Sequence, residues 1–308
     1  MPSVSRRSVL TPSAPFDLRA AVLGHGWFDL APHRWDAGEL RTAVLAEGLA
    51  VDLRITEARG GCVAVEARSA RALGRAGAAE VRHAVRRMLG LDCDLAPFWE
   101  LCRAHPPLHW VPERRAGRLM RSAGVFEDLL KLLFTTNCSW AATRLMCART
   151  VDALGAVAPS GARAFPTAEA CARVDEAFWR EQVRAGYRAP HCVALSRAFA
   201  EGRLAEATFD DPELPTDELR RRLLALPGFG PYAAGQALRL LGHADDLALD
   251  SWCRARMARL LGRAKPPDDR WFTRRYARFG RWRGLVLWME LTAEWHTGPQ
   301  AVEVRAEA

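Results

Sequence analysis

The apolar positions change their period along the chain, and the change divides it into two parts. In the segment VDLRITEA (51–58), Val51, Leu53 and Ile55 fall on one side and polar residues on the other, as in a half-buried strand. Gly60 and Gly61 follow as a turn, and CVAVEA (62–67) returns with the same alternation. These runs predict a small antiparallel sheet between Phe16 and Ser69, with a helix over 78–89 packed on it. From about Phe98 the period lengthens. FEDLLKLLFTT (126–136) sets Phe126, Leu129, Leu130 and Leu133 at helical spacing, and SWAATRLMCARTVDALG (139–155) continues until Gly155 stops it. A loop over 157–166 precedes helices expected over 167–185 and 189–201. DDPELPTDELRRRLLAL (210–226) holds a further helix, with Thr216 as its N-cap and acidic residues in its first turn. The expected fold class is mostly α with a small N-terminal antiparallel β-sheet domain. Its expected divisions are a disordered tail (1–14), the sheet domain (15–95), a helical body (96–298) and a frayed tail (299–308).

One segment changes this picture from architecture to chemistry. LPGFGPYAAG (226–235) joins two helices through a Pro-Gly-x-Gly turn, with Pro231 at the first position of the second helix. Gly228 and Gly230 allow a sharp turn, and without side chains they let backbone N–H groups approach a phosphate. The N-terminus of the second helix adds its positive dipole end. Such a hairpin grips one backbone phosphate without reading sequence. Eighteen positions after Tyr232, LALDSW (247–252) supplies Asp250. A carboxylate there can stabilise an oxocarbenium-like sugar and orient a water, or simply cap the helix that follows.

Charge placement adds to this. Residues 251–284 carry ten arginines and Lys265 against Asp268 and Asp269. The chain's formal charge is +8, so everything outside this stretch is close to neutral. A localised basic face suits a polyanion, and it is equally the solvated face of an arginine-rich helix. Arg256, Arg259 and Arg263 share one helical face and are the candidate phosphate contacts. The eight cysteines form no Cys-x-x-Cys pair, which argues against a zinc site or an iron–sulfur cluster. No apolar run approaches the roughly 20 residues of a bilayer span, and the N-terminus lacks a secretory pattern, so the expectation is a cytoplasmic, nucleoid-associated monomer.

The hairpin and the aspartate together resemble the helix-hairpin-helix (HhH-GPD) DNA glycosylases, the superfamily that includes endonuclease III, 3-methyladenine glycosylase and 8-oxoguanine glycosylase. The resemblance extends over about residues 16–295. It implies double-stranded DNA as partner, Asp250 as catalytic carboxylate, and Gly228, Phe229, Gly230 and Tyr232 as the phosphate-gripping hairpin. It further implies a monovalent cation held by hairpin carbonyls, and no other cofactor. Tyr232 stands where bifunctional members have a Schiff-base lysine, and the only lysines are Lys131 and Lys265, so strand cleavage is not expected. Gly186-Tyr187-Arg188-Ala189 matches a string in 8-oxoguanine glycosylases whose Tyr wedges into the duplex and whose Arg contacts the orphaned base. Asn137 falls in the loop that fills the gap left by the flipped base, and Trp288 where an aromatic stacks on the extruded base. Gln236 and Cys253 fall near the expected pocket. A core tyrosine, a loop asparagine and a core tryptophan are the structural alternatives. Gly284 replaces a base-reading glutamine of the oxidised-guanine enzymes, and Ala142 replaces an arginine, with Arg144 nearby. Alkylated purines are therefore the first expectation and oxidised purines the second. A non-catalytic DNA-binding module is the remaining alternative.

Overall fold

The computed structural model describes residues 3–211 and 213–298. Five strands form one antiparallel sheet: β1 (Val4–Leu10), β2 (Arg34–Asp36), β3 (Glu39–Ala46), β4 (Leu49–Ala58) and β5 (Cys62–Ser69), in the order β1-β5-β4-β3-β2. The alternation in β4 fixes which face is buried. Val51 and Ile55 are fully buried and Leu53 is nearly so, and they cluster with Leu40, Val44, Val63 and Val65 from β3 and β5. Helix α1 (Arg75–Leu89) closes this face with Val81, Val85 and Met88.

The sheet expected between Phe16 and Ser69 did not include β1. Residues 4–10 were expected within a disordered tail, yet they pair with β5 from Val4↔Ser69 to Leu10↔Val63. The strand is held by ladder hydrogen bonds while most of its side chains stay exposed, so no apolar alternation marks it. The expected tail at 299–308 lies outside the described residues.

The rest of the chain is helical. Helix α2 (Ala96–Arg103) and α3 (Val125–Thr135) lead into it, and every residue of α3 from Val125 to Phe134 is buried. Such a helix must satisfy its own charges. Lys131 Nζ donates to Glu127 Oε1 at 2.6 Å, and Asp128 accepts from Trp27 Nε1 at 2.7 Å, Ser122 N at 2.8 Å and Arg87 Nη1 at 2.8 Å. Arg87 comes from α1, so this buried pair ties the sheet to the helical body. Helix α4 (Trp140–Leu154) follows, capped by Ser139.

The single helix expected over 167–185 is broken into short pieces. Thr167 caps one at Ala168–Ala172, and Asp175 starts another at Glu176–Phe178, its carboxylate accepting from Phe178 N at 2.9 Å. Thr167 caps the expected start, and Asp175 is the internal cap that interrupts what the apolar spacing alone reads as continuous. Helix α5 (Ala189–Ala200) and α6 (Thr216–Leu224) come next. Thr216 is not the N-cap of α6. Its hydroxyl donates to Asp245 Oδ1 at 2.8 Å and meets His243 Nδ1 at 3.0 Å, and Pro215 holds the cap position. Helices α7 (Pro231–Leu240), α8 (Ser251–Leu260), α9 (Asp269–Tyr276) and α10 (Arg283–Thr297) complete the body. The last three pack with α2 in one cluster, centred on Phe98, Met257, Phe272, Tyr276 and Val286.

Candidate active site

The turn between α6 and α7 is shaped by Gly228, at φ +80°, and by Gly230, the N-cap of α7. A Cβ at 228 would lie 2.7 Å from the His191 ring, whereas at Gly230 there is open space on that side. Phe229 anchors the turn by burying its ring, and its N–H donates to Leu226 O at 3.1 Å. The turn offers only neutral main-chain carbonyls and no acidic side chain, a donor set that fits a monovalent cation. Gly228→Ala should lower stability by about 2 kcal/mol, because a left-handed backbone and the His191 contact both oppose a Cβ. Urea unfolding checks this, and an unchanged midpoint would mean the turn relaxes freely.

Asp250 is the N-cap of α8, and both its carboxylate oxygens are taken up by donors. Oδ1 accepts from Cys253 N at 2.6 Å, and Oδ2 accepts from Gln236 Nε2 at 3.0 Å. Gln236 cannot turn its amide over, because its Oε1 accepts from Arg239 Nη1 at 2.9 Å. Arg239 is itself buried and donates to Leu247 O at 2.9 Å. A relay from α7 thus sets the carboxylate's plane. Burial pushes the Cys253 thiol up to about 12, so this cysteine supplies a backbone N–H and no thiolate.

Asp250 opens on a cleft of about 890 Å³. Its walls are unusually aromatic: Trp27, Trp140, Tyr232, Trp252, Trp288 and Trp295 all line it. Tyr232, at the second position of α7, stands beside the carboxylate. Burial, with the Asp250 charge adding to it, pushes its phenol up to about 12, so it is neutral near pH 7. No lysine lines the cleft among the described residues. Lys131 is fully buried in its pair with Glu127.

The remaining expected residues separate into those that reach this cleft and those that do not. Trp288 lines it but is only 6% exposed. Its Nε1 donates to Gly24 O at 2.8 Å and the Arg239 guanidinium lies 4.4 Å from its ring centroid, so it forms the cleft floor. The less buried Trp140, Trp252 and Trp295 are better placed to meet a planar ligand. Asn137, at φ +46°, sits at the rim and donates from Nδ2 to Tyr187 Oη at 3.0 Å. Tyr187 is half exposed next to it. Arg188 departs from its expected contact with an orphaned base. It is buried, its Nε donates to Thr136 Oγ1 at 3.0 Å and its Nη1 to Ala185 O at 3.2 Å. It therefore braces the Asn137 loop from behind.

Gly284 also lies elsewhere. Its N–H donates to Ala244 O at 2.7 Å, and a Cβ would come within 1.8 Å of Asp246 O, so packing explains the glycine. It does not line the cleft, and its lack of a side chain carries no argument about the lesion. Arg144 pairs with Asp29 at 3.3 Å, on the cleft side of the sheet domain.

Of the three candidate backbone contacts, Arg256 is tied down: it pairs with Glu294 at 2.5 Å and donates to Leu291 O at 3.1 Å. Arg259 is exposed and makes no ion pair among the described residues, and Arg263 is exposed near the Trp271 ring. Sequence reasoning missed His25, Trp27, Trp140, Trp252, Trp295 and Arg239. Trp252 stands two places from Asp250 and Arg239 three places after Gln236, so both were within reach of local spacing.

No family model matches this sequence, and no curated protein matches it. Solved structures do match, 77 chains in all. A 3-methyladenine DNA-glycosylase from Archaeoglobus fulgidus superposes with a TM-score of 0.73 at 19% identity, covering 93% of this chain and 98% of that one. MBOgg1 in complex with a low-affinity DNA ligand gives 0.71 at 16% identity, covering 96% and 99%. An 8-oxoguanine glycosylase/lyase from Clostridium acetobutylicum gives 0.63 at 17% identity, covering 87% and 93%. The chain therefore has the helix-hairpin-helix DNA glycosylase fold, with its hairpin at 226–235 and its sheet at the N-terminus.

Proposed function

We propose that the protein is a monofunctional DNA glycosylase that removes damaged purines, alkylated ones foremost, from duplex DNA. The observation that carries this is Asp250, a carboxylate oriented by two N–H donors at the edge of an aromatic cleft beside the hairpin. The backbone N–H groups at the start of α7 would hold a phosphate, and a monovalent cation on the hairpin carbonyls would supply a second positive contact. Arg259 and Arg263 are the exposed cations available for neighbouring phosphates. Tyr187 and Asn137, hydrogen-bonded to each other, would fill the stack when a base leaves it.

The extruded purine would lie among tryptophans, and stacking contributes about 1–3 kcal/mol per base. As the N-glycosidic bond breaks, the bond electrons leave with the base and the sugar becomes cationic at C1′. Asp250 stabilises that charge and accepts the proton of the water whose oxygen bonds to C1′. The products are an abasic site and the free base. Tyr232 is not a nucleophile toward C1′ as a neutral phenol, and no cleft lysine is at hand to form a Schiff base. Aromatic walls suit electron-poor alkylated purines, whose glycosidic bonds are already weakened.

The test is a set of labelled duplexes, each with one 7-methylguanine, hypoxanthine or 8-oxoguanine. Strand breaks should appear only after alkali, and fastest from 7-methylguanine. Breaks without alkali, or a borohydride-trapped adduct, would overturn the monofunctional reading. Preferential release of 8-oxoguanine would move the substrate to oxidised purines. No release from any duplex, with salt-sensitive binding intact, would leave a DNA-binding module.

A further inference from the structure

Asp250 shares the cleft wall with two other carboxylates, Asp29 and Glu294. Glu294 is taken up by Arg256. Asp29 has no task in the chemistry above. It ends the short helical turn Gly26–Asp29, which two aromatic contacts fix in place. Trp27 is buried and its Nε1 donates to Asp128 at 2.7 Å, while a Cβ at Gly26 would touch the Trp140 ring at 3.0 Å. The carboxylate is held through one oxygen: Oδ2 accepts from Trp140 Nε1 at 2.8 Å and lies 3.3 Å from Arg144 Nε. Oδ1 accepts no hydrogen bond among the described residues and is not sealed from solvent, the side chain being 21% exposed.

The hydrogen bond to the indole places this open oxygen. An indole N–H points outward in the ring plane, so the carboxylate sits at the edge of Trp140. A purine stacked on Trp140 would lie about 3.5 Å above that plane, with its own edge within reach of Oδ1. The ion pair leaves the charge available. Arg144 is 53% exposed, and a pair solvated on that side is weak.

We propose, resting on the glycosylase reading, that Asp29 is a specificity-determining residue that recognises the positive charge of an N-alkylated purine. Methylation of guanine at N7 places a formal positive charge on the imidazole ring. The Trp140 face meets that charge from one side and Oδ1 meets it at the edge. An undamaged or oxidised purine has no such charge. The selection is for charge rather than for a pattern of hydrogen bonds, and Asp250, placed for the sugar, is spared that role.

The experiment uses two duplexes whose target bases differ in charge alone: 2′-fluoro-7-methylguanine and 2′-fluoro-7-methyl-7-deazaguanine. The fluorine slows base release, and the deaza carbon keeps the shape and every N–H while removing the charge. Affinities are measured slightly below pH 7, where N1 keeps its proton, for the wild type and Asp29→Asn. Asn still has an oxygen to accept from Trp140 Nε1, so the indole stays in place. The wild type should prefer the cationic duplex by about tenfold, and Asp29→Asn should lose about fivefold of that preference. The loss should fall on the cationic duplex, with the deaza duplex bound within about twofold of wild type. An unchanged preference in Asp29→Asn would overturn the inference. Equal losses on both duplexes would also overturn it, making Asp29 a prop for Trp140. In either case, release of ordinary 7-methylguanine by the wild type would leave the glycosylase reading intact. A wild type that releases no 7-methylguanine would overturn that reading, and the inference with it.

Discussion

Asp250→Asn should reduce base release by about a thousandfold or more while leaving duplex binding and folding close to wild type. A thousandfold corresponds to about 4 kcal/mol of transition-state stabilisation, within the range for a preorganised charge facing a developing one. The asparagine is chosen because Asn and Asp cap helices about equally well, so α8 keeps its N-cap. What changes is charge and one contact. The amide oxygen can still accept from Cys253 N, but its NH2 then faces the Nε2 of Gln236. Gln236 cannot reverse its amide to suit, because Arg239 holds its oxygen. Gln236→Leu, with Asp250 intact, should therefore slow release by a smaller factor, about tenfold, by loosening the carboxylate's orientation. Single-turnover rates with an abasic-duplex binding control check both. An Asp250→Asn protein that still releases bases at a tenth of the wild-type rate would reduce Asp250 to a helix cap.

The parts legible in the sequence are those whose signals are local. The LPGFGPYAAG turn and the spacing to Asp250 are contiguous, and they led to the hairpin and its carboxylate before any coordinates. The alternation of β4 and β5 likewise specified the buried face of the sheet. Long-range partners were not legible. β1 has little apolar periodicity because its ladder to β5, more than fifty residues away, supplies the order. Arg188 reads as a base contact within its four-residue string, and only the fold turns its guanidinium onto Thr136. Gly284 reads as a missing glutamine until the Asp246 carbonyl behind it is seen. His25 carries no motif at all, and it enters the cleft because Trp288, 263 positions away, fastens its loop through Gly24.

Stability should fall between pH 7.5 and 5.5, three buried histidines together costing about 4 kcal/mol before any offset, a large part of a typical domain's total. Three histidines are buried without a charge partner able to hold a proton on them. Burial first, then Arg239, lowers His25 to about 3; burial first, then Lys131, holds His33 well below its usual value; burial first, then Arg19, lowers His296 to about 4. His33 lies 3.8 Å from Glu127, but that carboxylate is already engaged by Lys131. Above pH 6.5 these rings are neutral in both folded and unfolded chains, so they leave stability unchanged. Below it the unfolded chain takes up protons that the folded one cannot, and each ring then costs about 1.4 kcal/mol per pH unit. Glu127 opposes this: burial raises its pKa, so the folded chain takes up its proton first as the pH falls. Carboxylates held low, such as Asp128, add their own loss only at more acid pH. Urea midpoints at pH 7.5, 6.5 and 5.5 read the slope directly, and His296→Gln should remove about a third of it. A flat profile would mean that at least two of the three rings find a way to carry a proton inside the fold.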